Sequence, residues 1–155
     1  MTPATPRLAL YVHWPFCRAK CPYCDFNSHV ADEIDHARFA AAYRREMEHM
    51  AARHGDDRQL ETIFFGGGTP SLMPPWLIAG IIEDADSIFG FAPGIEITAE
   101  ANPTSCEAAL FSGFRDAGVN RLSLGVQSLR DDGLAFLGRD LSLIHISEPT
   151  RPLYI

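Results

Sequence analysis

LALYVHWPFCRAKCPYCDFNS, residues 8 to 28, decides how the rest of the chain is read. It opens with a short apolar run, Leu8 to Val12, and leads straight into Cys17, Cys21 and Cys24, spaced C-x3-C-x2-C. Thiols this close together either bind a metal or stand as loose thiols. Thiolate sulfur is soft and suits zinc, Cu(I) or iron–sulfur clusters. Three is one short of a closed four-ligand site, and a four-iron cluster usually takes one cysteine per iron. An open metal position is what a catalytic centre needs and what a structural one avoids. Zinc could complete its set with His13, His29 or Asp25, although C-x3-C-x2-C is an unusual zinc spacing.

Outward from this stretch the chain alternates between strand and helix patterns. Leu8 to His13 reads as a short buried strand. Asp32 to His54 reads as a helix with Phe39, Tyr43, Met47 and Met50 along one face. Asp32 or Asp35 can cap its start and Gly55 can end it. His36, His49 and His54 fall on or near its polar side and are expected in solvent. Thr62 to Phe65 is a second strand, and Pro74 or Pro75 opens a second helix through Leu77, Ile78, Ile81, Ile82 and Ile88 towards Gly90. Gly94 to Ala99 is a third strand. Thr104 caps a third helix that stops near Gly118, with Cys106 expected as a packed small residue. Arg121 to Val126 is a fourth strand, and Leu129 to Leu137 begins the next helix. Such alternation implies an α/β fold of parallel β/α units, and right-handed crossovers place every strand's C-terminal end on one edge.

The residues with unusual chemistry gather on that edge. The cysteines follow strand one, Gly66-Gly67-Gly68-Thr69-Pro70 follows strand two, Glu100 and Asn102 follow strand three, and Gln127 follows strand four. Sites in α/β folds form at such strand ends. A glycine run lets backbone approach a ligand closely, and three in a row exceed what a turn needs. The run lacks the G-K-[ST] ending of a phosphate-binding loop. Glu100 could accept bonds from ribose hydroxyls, or face solvent, or pair with Arg121; spacing does not separate these.

Composition bounds the remaining options. A chain of 155 residues, 46% hydrophobic, suits one domain with a real core. No stretch reaches the roughly 18 apolar residues of a membrane span. The N-terminal MTPATPRLA lacks a secretory apolar region, so export is not expected. A net charge of −7 argues against a broad nucleic-acid surface. Three of the four cysteines share one motif, which is no extracellular disulfide framework and fits a reducing cytoplasm.

With Tyr23 just before its last cysteine, C-x3-C-x2-C resembles the signature of radical S-adenosylmethionine (SAM) enzymes. The resemblance implies the N-terminal part of a partial (β/α) barrel with parallel strands, truncated after about four β/α units. It implies that Cys17, Cys21 and Cys24 hold three irons of a [4Fe-4S] cluster, with SAM on the fourth. In that superfamily one electron from the cluster cleaves SAM to a 5′-deoxyadenosyl radical. It also implies SAM contacts from Tyr11, Tyr23, Gly67, Gly68, Thr69, Glu100, Gln127 and Arg139. The longer string YVHWPFCRAKCPYCDFNSH resembles the oxygen-independent coproporphyrinogen III oxidase branch, and within it the haem chaperones of the HemW group. Some oxidases of that branch carry a further cysteine two residues after the third ligand. Phe26 stands there in this chain, which favours the chaperone group. The alternative is an oxidase that decarboxylates porphyrinogen propionates. Either reading implies haem or a porphyrinogen as ligand and an electron donor for the cluster, and the chaperone reading adds a haem-acceptor protein. The HNxxYW-type motif of HemW C-terminal regions does not occur in this sequence.

Leu141 to Arg151, LSLIHISEPTR, resembles the translation of a transposase adapter used to build sequencing libraries. Leu141 to Ile155 is therefore expected to be non-native, which leaves residues 1–140 as part of the core and gives His145 and Glu148 no role. An unfinished barrel exposes an unpaired strand edge. A product ending this way is expected to be poorly soluble or partly unfolded, and a truncated fragment without function is the second alternative to the chaperone.

Overall fold

The computed structural model describes residues 7–54, 58–102 and 105–138. Gly55, Thr104, Arg139 and the tail from Leu141 to Ile155 lie outside the described residues, as do the side chains of His54 and Cys106. Four strands form one sheet: β1 (Arg7–Trp14), β4 (Gln59–Gly67), β5 (Phe91–Ala101) and β6 (Arg121–Leu124), in that spatial order and parallel throughout. Two short strands, β2 (Phe16–Cys17) and β3 (His29–Val30), pair with each other at the two ends of the cysteine loop. Helices α1 (His36–His54), α2 (Pro75–Phe89) and α3 (Ser105–Asp116) connect the long strands, and α4 (Asp131–Phe136) follows β6. The strand–helix alternation expected from sequence is thus present, in the expected order.

Period-two alternation sorts the sheet's side chains onto two faces. Val12, Trp14, Ile63, Phe65, Ile97 and Ala99 point to one face and are buried against Leu77, Ile78, Ile81 and Phe114 of the helices. Tyr11, Phe64, Thr98 and Arg121 lie in one lateral row across the four strands, on the opposite, helix-free face. Within α1, Phe39, Tyr43 and Met47 pack on the core as their spacing predicts, while Met50 is exposed, so the apolar stripe ends one turn early. Asp35 serves as the cap: its Oδ1 accepts from the Arg38 backbone at 2.9 Å, and the helix begins four residues later than Asp32.

Three expectations need correction. β5 runs on through Glu100 and Ala101, so Glu100 sits within a strand and not beyond one. β6 ends at Leu124, because the chain then turns sharply before Gln127. His36 is not in solvent: its ring stacks on Trp14 at 5.9 Å and 7°, and Trp76 meets it edge-on at 6.3 Å. An aromatic surface on β1 outcompetes water for an imidazole at the helix start. His49 is exposed as expected.

Tyr43 ties α1 to the end of β1. Its hydroxyl donates to the His13 carbonyl at 2.6 Å, and burial pushes its pKa up from 10 to about 12. The fold therefore favours the neutral phenol. That contribution is complete below pH 10 and is lost as pH rises from 10 towards about 12. Tyr43→Phe should remove this alkaline loss and cost about 1 kcal/mol at neutral pH through the missing hydrogen bond. Denaturant unfolding of both proteins from pH 7 upward checks this; parallel alkaline curves would show that Tyr43 is not responsible.

Candidate metal and cofactor site

The cysteine loop leaves the sheet at Trp14 and is closed by backbone bonds. The His29 N–H donates to the Pro15 carbonyl at 2.7 Å, the Cys24 N–H to Cys21 at 3.1 Å, and the Ser28 N–H to Phe26 at 2.7 Å. His13 Nε2 meets the Asn27 carbonyl at 3.0 Å, which fixes the ring N–H on Nε2 and leaves Nδ1 facing the Tyr11 hydroxyl at 3.5 Å. His13 is thus committed to the loop's backbone, which weakens its candidacy as a zinc ligand. Cys17, Cys21 and Cys24 are half-buried free thiols.

The glycine run meets this loop directly. The Gly68 N–H donates to the Trp14 carbonyl at 2.6 Å and the Thr69 N–H to the Phe16 carbonyl at 2.8 Å. A Cβ on Gly68 would lie 2.5 Å from the Phe16 oxygen and 3.0 Å from Cys17 Sγ. A Cβ on Gly67 would lie 2.6 Å from His13 Nδ1, and Gly67 has φ 109° besides. The close approach read from the sequence is therefore made first to the cysteine loop itself. The N–H groups of Gly68 and Thr69 serve that join and are not free for a ligand. Thr69 makes no side-chain cap bond to the short 3₁₀ turn it precedes, Pro70–Leu72, so its hydroxyl is left to the site.

One cavity of about 380 Å³ collects these groups. Its lining includes Cys17, Cys21, Cys24, Tyr23, Gly67, Gly68, Thr69, Glu100 and Gln127, which came from four separate stretches of sequence. Phe26 lines it as well, 60% exposed. Tyr11 is absent from this lining but lies on the same sheet face as Glu100. Desolvation, and then the charge of Glu100, hold its hydroxyl above the ordinary tyrosine value. Arg121 is taken by Glu96 at 2.9 Å, so the pairing with Glu100 that the sequence allowed is not made. Arg18 and Ser123 also line the cavity and were not singled out. Ser123 had a signal, since it sits two residues beyond Arg121 on the same strand face. Arg18 had none, because loop side chains carry no period.

Gln127 is held by its backbone. It has φ 69°, alone among described non-glycine residues in the left-handed region, and the Ser128 N–H bonds to the Val126 carbonyl at 2.9 Å. That is a γ-turn centred on Gln127, the rarer and strained form. Strain of this kind costs about 1–3 kcal/mol and concentrates at ligand sites.

Three soft thiolates in one lining suit an iron–sulfur cluster, which takes a separate cysteine at each iron. Among the described residues no three His, Cys, Asp or Glu side chains are arranged to hold one metal ion. The three thiols instead surround a cavity, beside a glycine whose missing Cβ leaves room at Cys17 Sγ. Among the described residues no helix is long and apolar enough to cross a membrane.

Comparison with known proteins gives a consistent set. The sequence matches the Radical SAM superfamily over residues 11–145. It is 43% identical over 141 residues to the heme chaperone HemW of Haemophilus influenzae, covering 88% of this chain and 37% of that protein. It is 42% identical over 137 residues to radical S-adenosyl methionine domain-containing protein 1, mitochondrial, of Bos taurus, covering 88% and 31%. Coproporphyrinogen III oxidase (HemN) from Escherichia coli, a radical SAM enzyme, superposes with a TM-score of 0.74 at 27% identity, over 94% of this chain and 35% of that one. The chain thus spans about a third of the length of these relatives.

Two substitutions, and a third as control, test the site. Gly68→Ala should displace Phe16 and Cys17 and lower the iron bound after reconstitution severalfold, whereas Gly80→Ala, with nothing within 4 Å, should leave iron binding unchanged and stabilise α2 by roughly 1 kcal/mol. Equal iron content in both would refute the steric reading. Gln127→Gly should raise stability by about 1 kcal/mol or more by relieving strain, read as a higher denaturation midpoint.

Proposed function

This chain belongs to the radical SAM superfamily, and we propose that it forms the cluster- and SAM-binding part of a HemW-type haem chaperone. The observation that carries the reading is the single cavity ringed by three free thiols, the glycine turn, Glu100 and Gln127. Cys17, Cys21 and Cys24 hold the [4Fe-4S] cluster. Tyr11, Tyr23, Gly67, Gly68, Thr69, Glu100, Gln127 and Arg139 form the SAM site; Arg139 enters on the sequence motif alone. When bound, the cluster supplies a single electron to a sulfonium ligand on its open iron.

The chain's own groups account for the rest. The amino group of SAM needs acceptors, and the Thr69 hydroxyl lies in the cavity without a cap bond to make. Glu100 supplies the charge that suits ribose hydroxyls. Gln127 is held in place by its turn and so loses little freedom on binding. The free thiols call for a reducing compartment, and we assign the cytoplasm.

Haem as cargo is supported by the names of the similar HemW proteins and by Phe26, which stands in the cavity lining where some members of the oxidase branch carry another cysteine. An acceptor protein for haem and an electron donor for the cluster complete the proposed partners. The oxidase reading draws on the superposition with coproporphyrinogen III oxidase.

The deciding experiment uses a full-length protein containing this sequence, reconstituted anaerobically. Broad absorption near 400 nm and about four irons per chain are expected, falling by more than half when Cys21 is changed to Ala. Stable haem retention without decarboxylation of coproporphyrinogen supports the chaperone. Decarboxylation with SAM cleavage and no haem retention would replace it with the oxidase. A colourless protein carrying zinc would reject both.

A further inference from the structure

The helix-free face of the sheet is not built as a core. Interiors of β/α barrels are filled by layers of branched aliphatic side chains. Here one lateral row is Ala9, Thr62 and Glu96, and the next is Tyr11, Phe64, Thr98 and Arg121. Tyr11 and Phe64 stack at 6.1 Å and 18°. Further along the same row, with Thr98 between it and Phe64, Arg121 Nη1 donates to Glu96 at 2.9 Å and to Thr98 at 3.5 Å, and Thr98 is fully buried.

The guanidinium is held but not used up. All its described bonds leave from Nη1, so the Nε–Nη2 edge has no partner among the described residues. The Arg121 side chain is 57% exposed and that of Glu96 46%. In this chain a pair this open contributes little to folding. An aromatic shelf with a guanidinium fork at its rim matches a flat apolar ring that carries peripheral carboxylates. The shelf joins the cofactor cavity: Ser123, two residues beyond Arg121 on β6, lines it, roughly 7 Å along the strand.

We propose that Arg121, positioned by Glu96 and Thr98 in the same lateral row as the Tyr11–Phe64 ring pair and two strands from Phe64, binds a peripheral carboxylate of the tetrapyrrole. This rests on the tetrapyrrole cargo proposed above and adds the residue that selects its acid form. Glu96 is a positioning residue: it orients the fork and leaves its outer edge free.

The test uses the full-length, cluster-loaded protein and two probes, haemin and haemin dimethyl ester, titrated by absorption. Arg121→Gln should weaken haemin binding about ten- to hundredfold, the range for losing a charge-assisted pair. It should change ester binding less than about twofold. Arg121→Lys should restore part of the haemin affinity. Glu96→Gln should keep most of it, since the amide oxygen can still accept from Arg121 Nη1 and hold the fork in place. If Arg121→Gln leaves haemin binding intact, or weakens both probes alike, or if Glu96→Gln falls in step with it, the pair is structural and the proposal is overturned. If the wild-type protein binds neither probe, the chaperone reading itself fails, a result separable from the others because it precedes any substitution.

Discussion

The join between the glycine turn and the cysteine loop is the constraint on which the site depends. Strand β4 runs alongside β1 to its last residue, Trp14↔Gly67, and the pairing continues as Gly68 and Thr69 bond to Trp14 and Phe16. At these positions no side chain fits between the two backbones. Cys17 is therefore placed from two sides, by main-chain hydrogen bonds from the neighbouring strand to Trp14 and Phe16 just before it and by its own pairing with Val30 across the loop. A site placed this way is as rigid as the sheet, which suits a centre that must hold three thiols apart around one cavity.

The two faces of the sheet divide the work. One face is aliphatic and aromatic, closed by α1, α2 and α3, and supplies the burial that stabilises the fold. The other carries Phe64 together with Tyr11, His13, Glu96, Thr98, Glu100 and Arg121, polar groups that need hydrogen-bond partners or water. Partners are found within the sheet for some of them, Glu96 with Arg121 and Thr98 with Glu96, and in the cysteine loop for His13, which meets the Asn27 carbonyl. Because parallel neighbours share a face, alternation along each strand turns into rows across the sheet. The aromatic pair lies along one such row, and the ion pair joins that row to the one before it.

The cavity gathers groups of opposite need. Thiols and an acidic side chain stand on one lining with a strained glutamine and an exposed phenylalanine. A surface selected only for stability would avoid an exposed Phe26 and a left-handed Gln127 together. Phe26 lies in the cysteine loop and Gln127 just past the end of β6, where the sheet's regular bonding has stopped.

The sequence by itself determined the parallel β/α order, the helix faces of α1 and α2, and the convergence of four strand ends, because period and turn chemistry are local properties of the chain. The cysteine spacing pointed to the family for the same reason. Tertiary structure decided what local pattern cannot carry: lateral register, set by irregularities at Leu8/Ala9 and Leu60/Thr62. Register put Arg121 beside Thr98, within reach of Glu96 and not paired with Glu100. It also set Gly68 against Cys17, so that the glycines serve the loop before any ligand. The stacking of His36 on Trp14 and the left-handed turn at Gln127 likewise arise from contacts between distant stretches and from the abrupt end of β6, which no periodicity in the chain encodes.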